Sequence, residues 1–221
     1  PAVEFMKKVI EHKKGLKLEA NDYYQYRRYE KMKMSINDIT NEKLEKGIYK
    51  KFSFFKDQVE TSPKTHKMIL PISIKETSSR TIYRKEPKSK KTIIEGYNSS
   101  GIEEFFNTGD MLGTILNDVF SDINIYDDDI RLLQSYFVSP IGKGAITFYK
   151  YYLMDTVMVD RQQCVHLTFV PQNSQDFGFT GHLYVVKVST YAVKQCTMNL
   201  PKKTGVNFVD SLGVVQKYKQ L

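Results

Sequence analysis

The residues best able to do chemistry in this chain are few and scattered. Asp127, Asp128 and Asp129 form an acidic triplet, and carboxylate oxygens are what a hard cation takes as ligands. A calcium loop also needs alternating ligands, a central glycine and a distant glutamate, and none of these accompanies the triplet. Aspartate at the start of a helix caps free N–H groups and suits the helix dipole, so the triplet is read as the cap of a short helical turn over Asp127–Gln134. The histidines are His12, His66, His166 and His182. No two are spaced i, i+4, and no HExxH occurs. His166 and His182 fall on strands expected to be neighbours, where a facing pair would bind a metal or titrate near neutral pH. The plainer reading, two partly exposed strand positions, is preferred. Cys164 and Cys196 lie in no CxxC and beside no histidine at metal spacing, and are read as small buried apolar residues.

No Gly-x-Ser-x-Gly, no glycine-rich phosphate loop and no paired carboxylates in a recognisable setting are present. The expectation is therefore a protein that is not an enzyme, with no catalytic residue, no metal ligands and no cofactor. Net charge is +8, from 33 Lys and Arg against 25 Asp and Glu. The two signs are interleaved, as on a solvated surface. Only Arg84–Lys91 is densely basic, with Tyr83 as its one aromatic neighbour. Nucleic acid is not the expected partner on that ground, since stacking platforms need more aromatics among the charges. The cluster reads instead as a charged hairpin end that resists edge pairing.

Elements must position these residues. Val3, Phe5, Met6, Val9 and Ile10 recur at helical spacing, and Lys13–Gly15 supplies a stop. "YYQYRRYEKMKMSI" alternates with period two from Tyr23 to Ile36, a long strand with a wet face. A weak helical pattern covers Asn41–Tyr49. Two or three strands follow from Met68, with a turn at Glu86–Ser89. Ser100 and Glu103 have capping-box spacing, and Met111, Leu112, Ile115, Leu116 and Val119 give a second helix an apolar face. Strands are expected at Ile146–Asp155, Cys164–Val170, twice within Phe179–Leu200, and once more near the C-terminus. Short turns between successive strands imply an antiparallel meander. The 15 Tyr and 13 Phe, with no Trp, suit half-exposed sheet surface.

No run is long and apolar enough for a membrane-spanning helix. The chain opens PAVEFMKKVIEHKK with no leader-like segment, which reads as a piece of a longer protein. Length favours one domain, residues 1–221.

Several stretches resemble a known family in order: "NIYDDDIRLLQSYFVSPI", "FYKYYLMDT", "CVHLTFVPQ", "FTGHLYV", "YAVKQ" and "VNFVDSLGVVQKY". Upstream, "VEFMKKVIEHK", "YYQYRRYEKMKM" and "YRKEPKSKKTIIEG" also fit. The series is similar to an uncharacterised Bacteroidetes family of outer-membrane proteins containing a carboxypeptidase-regulatory-like domain, and covers nearly the whole chain. The resemblance implies a single periplasmic domain between an N-terminal β-sandwich and a C-terminal outer-membrane β-barrel. It departs at Gln163 and Tyr184, where Trp is common, and it brings no catalytic residues. A weaker architectural likeness is to the lipoprotein-carrier class, in which a curved antiparallel sheet wraps helices.

The combined expectation is an α+β domain: a curved, half-barrel-like antiparallel meander covered by a few helices, located in the periplasm at the outer membrane. Its expected role is non-catalytic binding. Met111, Leu112, Ile115 and Leu116 from the helix, with Phe169, Leu183 and Val185 from the sheet, would line an apolar groove for lipid or an acylated polypeptide. Other domains of the same outer-membrane protein and envelope proteins are the further partners. The alternatives are a structural spacer and a hydrolase with a dispersed site.

Overall fold

The computed structural model describes residues 1–37, 39–46, 53–63, 65–101, 123–132, 135–187, 190–200 and 210–219. It is an α+β structure of open antiparallel sheets, none closed into a barrel among the described residues. Where length suggests one domain, contacts divide the chain into two compact units. Unit 1 comprises Pro1–Ala20 and Asp110–Leu221, and unit 2 comprises Asn21–Gly109.

Unit 1 is built on the expected meander. Strands β7 (Tyr149–Val159), β8 (Gln162–Pro171), β9 (Thr180–Val186), β10 (Val193–Leu200) and β11 (Leu212–Lys217) lie in the spatial order 11-10-9-8-7. Alternation places every second side chain inward. Register then stacks them in rows: Val165 beside Val185, Leu167 beside Leu183 and Cys196, Phe169 beside Gly181 and Met198. The helix packed on this face is α1 (Ala2–Leu16), whose Met6 and Val9 join the sheet residues in one core. The expected helix containing Met111, Leu112, Ile115 and Leu116 lies outside the described residues.

Gly181 marks a close approach of two strands. A Cβ there would lie 1.8 Å from the Thr197 carbonyl oxygen and 3.1 Å from the Phe169 ring. The missing side chain therefore lets β10 approach and gives Phe169 its seat. Both thiols are free and buried, Cys164 on β8 and Cys196 on β10 with β9 between them. Burial pushes both thiols up from their ordinary range.

The expected helical turn at Asp127–Gln134 is not formed over Asp127–Leu132; residues 133 and 134 lie outside the described residues. Asp129–Leu132 is a strand, β5, paired with β6 (Ser135–Val138). Ile130 and Leu132 are buried while Asp129 and Arg131 are exposed, so period two wins over a short helical pattern. The strand expected at Ile146–Asp155 is also shifted. A helical turn, α3 (Ala145–Phe148), comes first, and the strand begins at Tyr149.

Around this corner the polar groups interlock. The Lys13 ammonium is buried and donates to Asp128 Oδ1 at 2.5 Å, tying α1 to the turn before β5. The same oxygen accepts from the Lys143 backbone N–H at 3.1 Å. Ser139 Oγ donates to the Ile125 carbonyl at 2.5 Å. Tyr149 and Tyr151 donate to the carbonyls of Val138 and Pro140 at 2.7 and 2.8 Å. Lys13, ahead of Lys143, holds the Asp128 carboxyl at about 2, well below its ordinary value.

Unit 2 is a ribbon. The long central strand β3 (Met68–Arg84) pairs with β1 (Tyr23–Ile36) on one side. On the other it pairs with β2 (Glu60–Thr61) and then β4 (Ser89–Gly101). The strand read as Tyr23–Ile36 and the turn before Ser89 are both found. The weak helical pattern is realised as α2 (Asn41–Leu44), capped by Thr40 Oγ1; residues 47–49 lie outside the described residues. Ser100 does not cap a helix, because β4 runs through it to Gly101, opposite Ile74 and Ser73. Arg27 and Arg80 face each other across the β1–β3 ladder, a repulsive pairing. Glu95 bridges them at 3.2 and 3.1 Å. The basic cluster at the β3–β4 tip forms no single patch. Lys90 and Lys91 point to opposite faces, and Lys85 pairs with Asp22 at 3.0 Å.

Gly181→Ala should destabilise the fold by more than about 3 kcal/mol, because backbone must move to admit the methyl. Gly15→Ala meets nothing within 4 Å and should gain about 0.5 kcal/mol from helix propensity. Denaturant midpoints of the two variants check both. Asp128 has a folded pKa below its unfolded value near ~3.9, so its stabilisation is present above about pH 4 and is lost as pH falls toward 2. Asp128→Asn should cost about 1–2 kcal/mol at neutral pH, discounted for the partial exposure of the carboxylate. Stability curves of wild type and variant should converge as pH falls through that window; parallel curves would refute the role of the pair.

Candidate functional site

The chemistry-bearing residues that the fold brings together lie on the outward face of the unit 1 sheet. Pairing of β7 with β8 passes from Leu153–Leu167 to Thr156–Val165, so Met154 and Asp155 together oppose His166. This is a β-bulge, a device that re-aims a side chain. Here it turns Asp155 onto His166, with Oδ1 2.7 Å from Nδ1. One strand further, His182 sits diagonally from His166, and their facing nitrogens, Nε2 and Nδ1, are 2.9 Å apart. Tyr184, directly opposite His166, stacks on its ring with centroids 4.5 Å apart and planes 4° from parallel.

The acceptors and donors assign the protons. A carboxylate only accepts, so in neutral His166 the Nδ1 carries the hydrogen and Nε2 holds a lone pair. His182 Nδ1 must then donate to that lone pair, leaving His182 Nε2 as an acceptor. His166 is mostly buried, while His182 is exposed. Partial desolvation, and then the neighbouring His166, lower the pKa of His182. The histidines expected on neighbouring strands therefore do meet. The third member, Asp155, is not foreseeable from alternation, because the bulge changes which way it points. The visible signal is the lapse of alternation at "YYLMD", where Tyr152, Leu153, Met154 and Asp155 are all exposed.

Beside this group is a shallow depression of about 440 Å³. Phe5 of α1, Leu153, Met154, Val165 and Tyr191 make it mainly apolar, with Asp155 and Lys187 at its polar side. Phe5 meets Tyr191 edge-on at 5.5 Å, and His12 lies 4.8 Å from the same ring. Tyr191 has φ of 51°, a conformation that L residues other than Asn and Asp seldom adopt. Its strained backbone thus borders the depression, as strain often borders a site. Leu153 and Met154 are among the large apolar side chains left exposed.

The groove residues expected from sequence are placed differently. Phe169, Leu183 and Val185 are fully buried in the packed core and line no part of this depression. Met111, Leu112, Ile115 and Leu116 lie outside the described residues. The acidic triplet is tied to lysines: Asp128 to Lys13, and Asp127 to Lys17 at 3.5 Å. Among the described residues no three His, Cys, Asp or Glu side chains converge as a metal site.

A family model described as "Family of unknown function (DUF5686)" matches residues 5–221. No curated protein and no solved structure matches the chain.

Proposed function

We propose that this chain, which belongs to the DUF5686 family, is a non-catalytic binding module of the cell envelope that receives an apolar chain, either lipid or an acylated polypeptide. The observation that carries this reading is the depression beside α1, where Phe5, Leu153, Met154, Val165 and Tyr191 gather apolar surface and Lys187 supplies a cation at its rim. An acyl tail gains from leaving water against such a surface, and an anionic head group suits the ammonium. The place proposed for the ligand is thus the outer flank of the sheet and α1, rather than the interior around Phe169, Leu183 and Val185. Its periplasmic, outer-membrane setting rests on the family resemblance of the sequence stretches "NIYDDDIRLLQSYFVSPI" through "VNFVDSLGVVQKY".

Titration with an anionic fluorescent long-chain fatty acid tests the reading. Saturable binding is expected. Met154→Lys should weaken it about tenfold, the loss of roughly one buried apolar side chain. Lys187→Glu should weaken binding of the fatty acid more than that of its neutral methyl ester. Binding that ignores both substitutions would place the ligand elsewhere. No saturable binding, with no lipid retained in native mass spectrometry, would leave the spacer role.

A further inference from the structure

We infer that His166 and His182 form a binding site for a divalent late transition-metal ion of the copper and nickel class, with Asp155 as the group that orients the first ligand. The inference does not rest on the acyl-binding proposal. Its basis is the facing pair of imidazole nitrogens 2.9 Å apart on adjacent strands. At metal–imidazole bonds of about 2.0–2.1 Å, that separation subtends about 90° at the ion. Such an angle belongs to cis positions of a tetragonal site, the geometry Cu²⁺ and Ni²⁺ favour with nitrogen donors.

The rest of the constellation supports ligation. His166 Nδ1 donates to Asp155 at 2.7 Å, so the neutral ring presents Nε2 as a lone pair. A carboxylate on the far nitrogen is the usual partner of a metal-binding histidine, raising its basicity and locking its ring. Tyr184 stacked on His166 adds a second lock. His182, being exposed, is the ligand free to adjust. To bind through Nδ1 it moves its proton to Nε2, so the two neutral rings take up the ion without net proton release. Thr168 lies directly opposite His182 and its hydroxyl donates to Met154 Sδ at 3.8 Å, which sets a soft thioether at the border of the pair. The remaining positions on the ion fall to water, since no third protein side chain of the usual ligand types converges among the described residues.

Isothermal titration of the whole chain with Ni²⁺, which does not oxidise its two thiols, tests this in a non-coordinating buffer. One ion per chain is expected. His182→Gln, at an exposed position, should abolish that binding without moving the unfolding midpoint, and His166→Gln should abolish it too. Asp155→Asn should weaken it at least tenfold, as loss of an orienting carboxylate does. Cu²⁺ added to the wild type should give an electron paramagnetic resonance spectrum with two coupled nitrogens. Saturable binding that survives His182→Gln, a spectrum with one coupled nitrogen, no saturable binding, or an Asp155→Asn variant of wild-type affinity would each overturn the proposal.

Discussion

One ammonium held out of water organises unit 1. The Lys13 side chain is 4% exposed and ends on Asp128. A charge in that position is tolerable only while its counter-charge and hydrogen bonds stay in place. Helix α1 must therefore sit where its last turn reaches the turn before β5, and that turn must present its second aspartate. The requirement propagates through the corner. Asp128 also accepts from the Lys143 backbone, and its own carbonyl accepts from the Ser139 N–H at 3.0 Å. Gly142 presses so close to that carbonyl that a Cβ would lie 2.3 Å from it. Once the corner is closed, Tyr149 and Tyr151 find acceptors on it, and β7 starts in register with the rest of the sheet.

The parts of the fold legible in the sequence are those governed by one strong periodicity. Tyr23–Ile36 alternates without interruption, and β1 has those bounds. The strands from Gln162 to Leu200 alternate apolar with polar, and the meander follows. Three features were hidden because they depend on partners far along the chain. "DDDIRLL" is too short for its period to be decisive, and pairing with β6 makes its Asp129–Leu132 part a strand. Ser100 has a good capping spacing, but extension of the β3–β4 ladder claims it. Lys13 looks like a helix-end cation, yet its partner lies 115 residues away.

The candidate site was legible to the same degree. Two histidines on neighbouring strands follow from the meander alone. Their contact, and the carboxylate behind them, require a register and a bulge that no single strand announces. The apolar groove expected around Phe169, Leu183 and Val185 rests on a correct assignment of those residues to the inner face. Close packing then fills that face, with Phe169 over Gly181 and Leu183 beside Cys196. Apolar surface reaches solvent instead where alternation lapses, at Leu153 and Met154.

The bulge also decides how β7 takes two kinds of genetic change. Replacing Met154 or Asp155 alters one side chain and leaves the strand's phase intact. Deleting either residue would restore regular pairing, with Leu153 still opposite Leu167 and Thr156 still opposite Val165. The inward rings of Tyr149 and Tyr151 would stay inward, and the change would be confined to the residues that face His166. A length change here is thus absorbed at the site and spares the core, so descendants of this sequence can gain or shed the bulge without refolding the sheet.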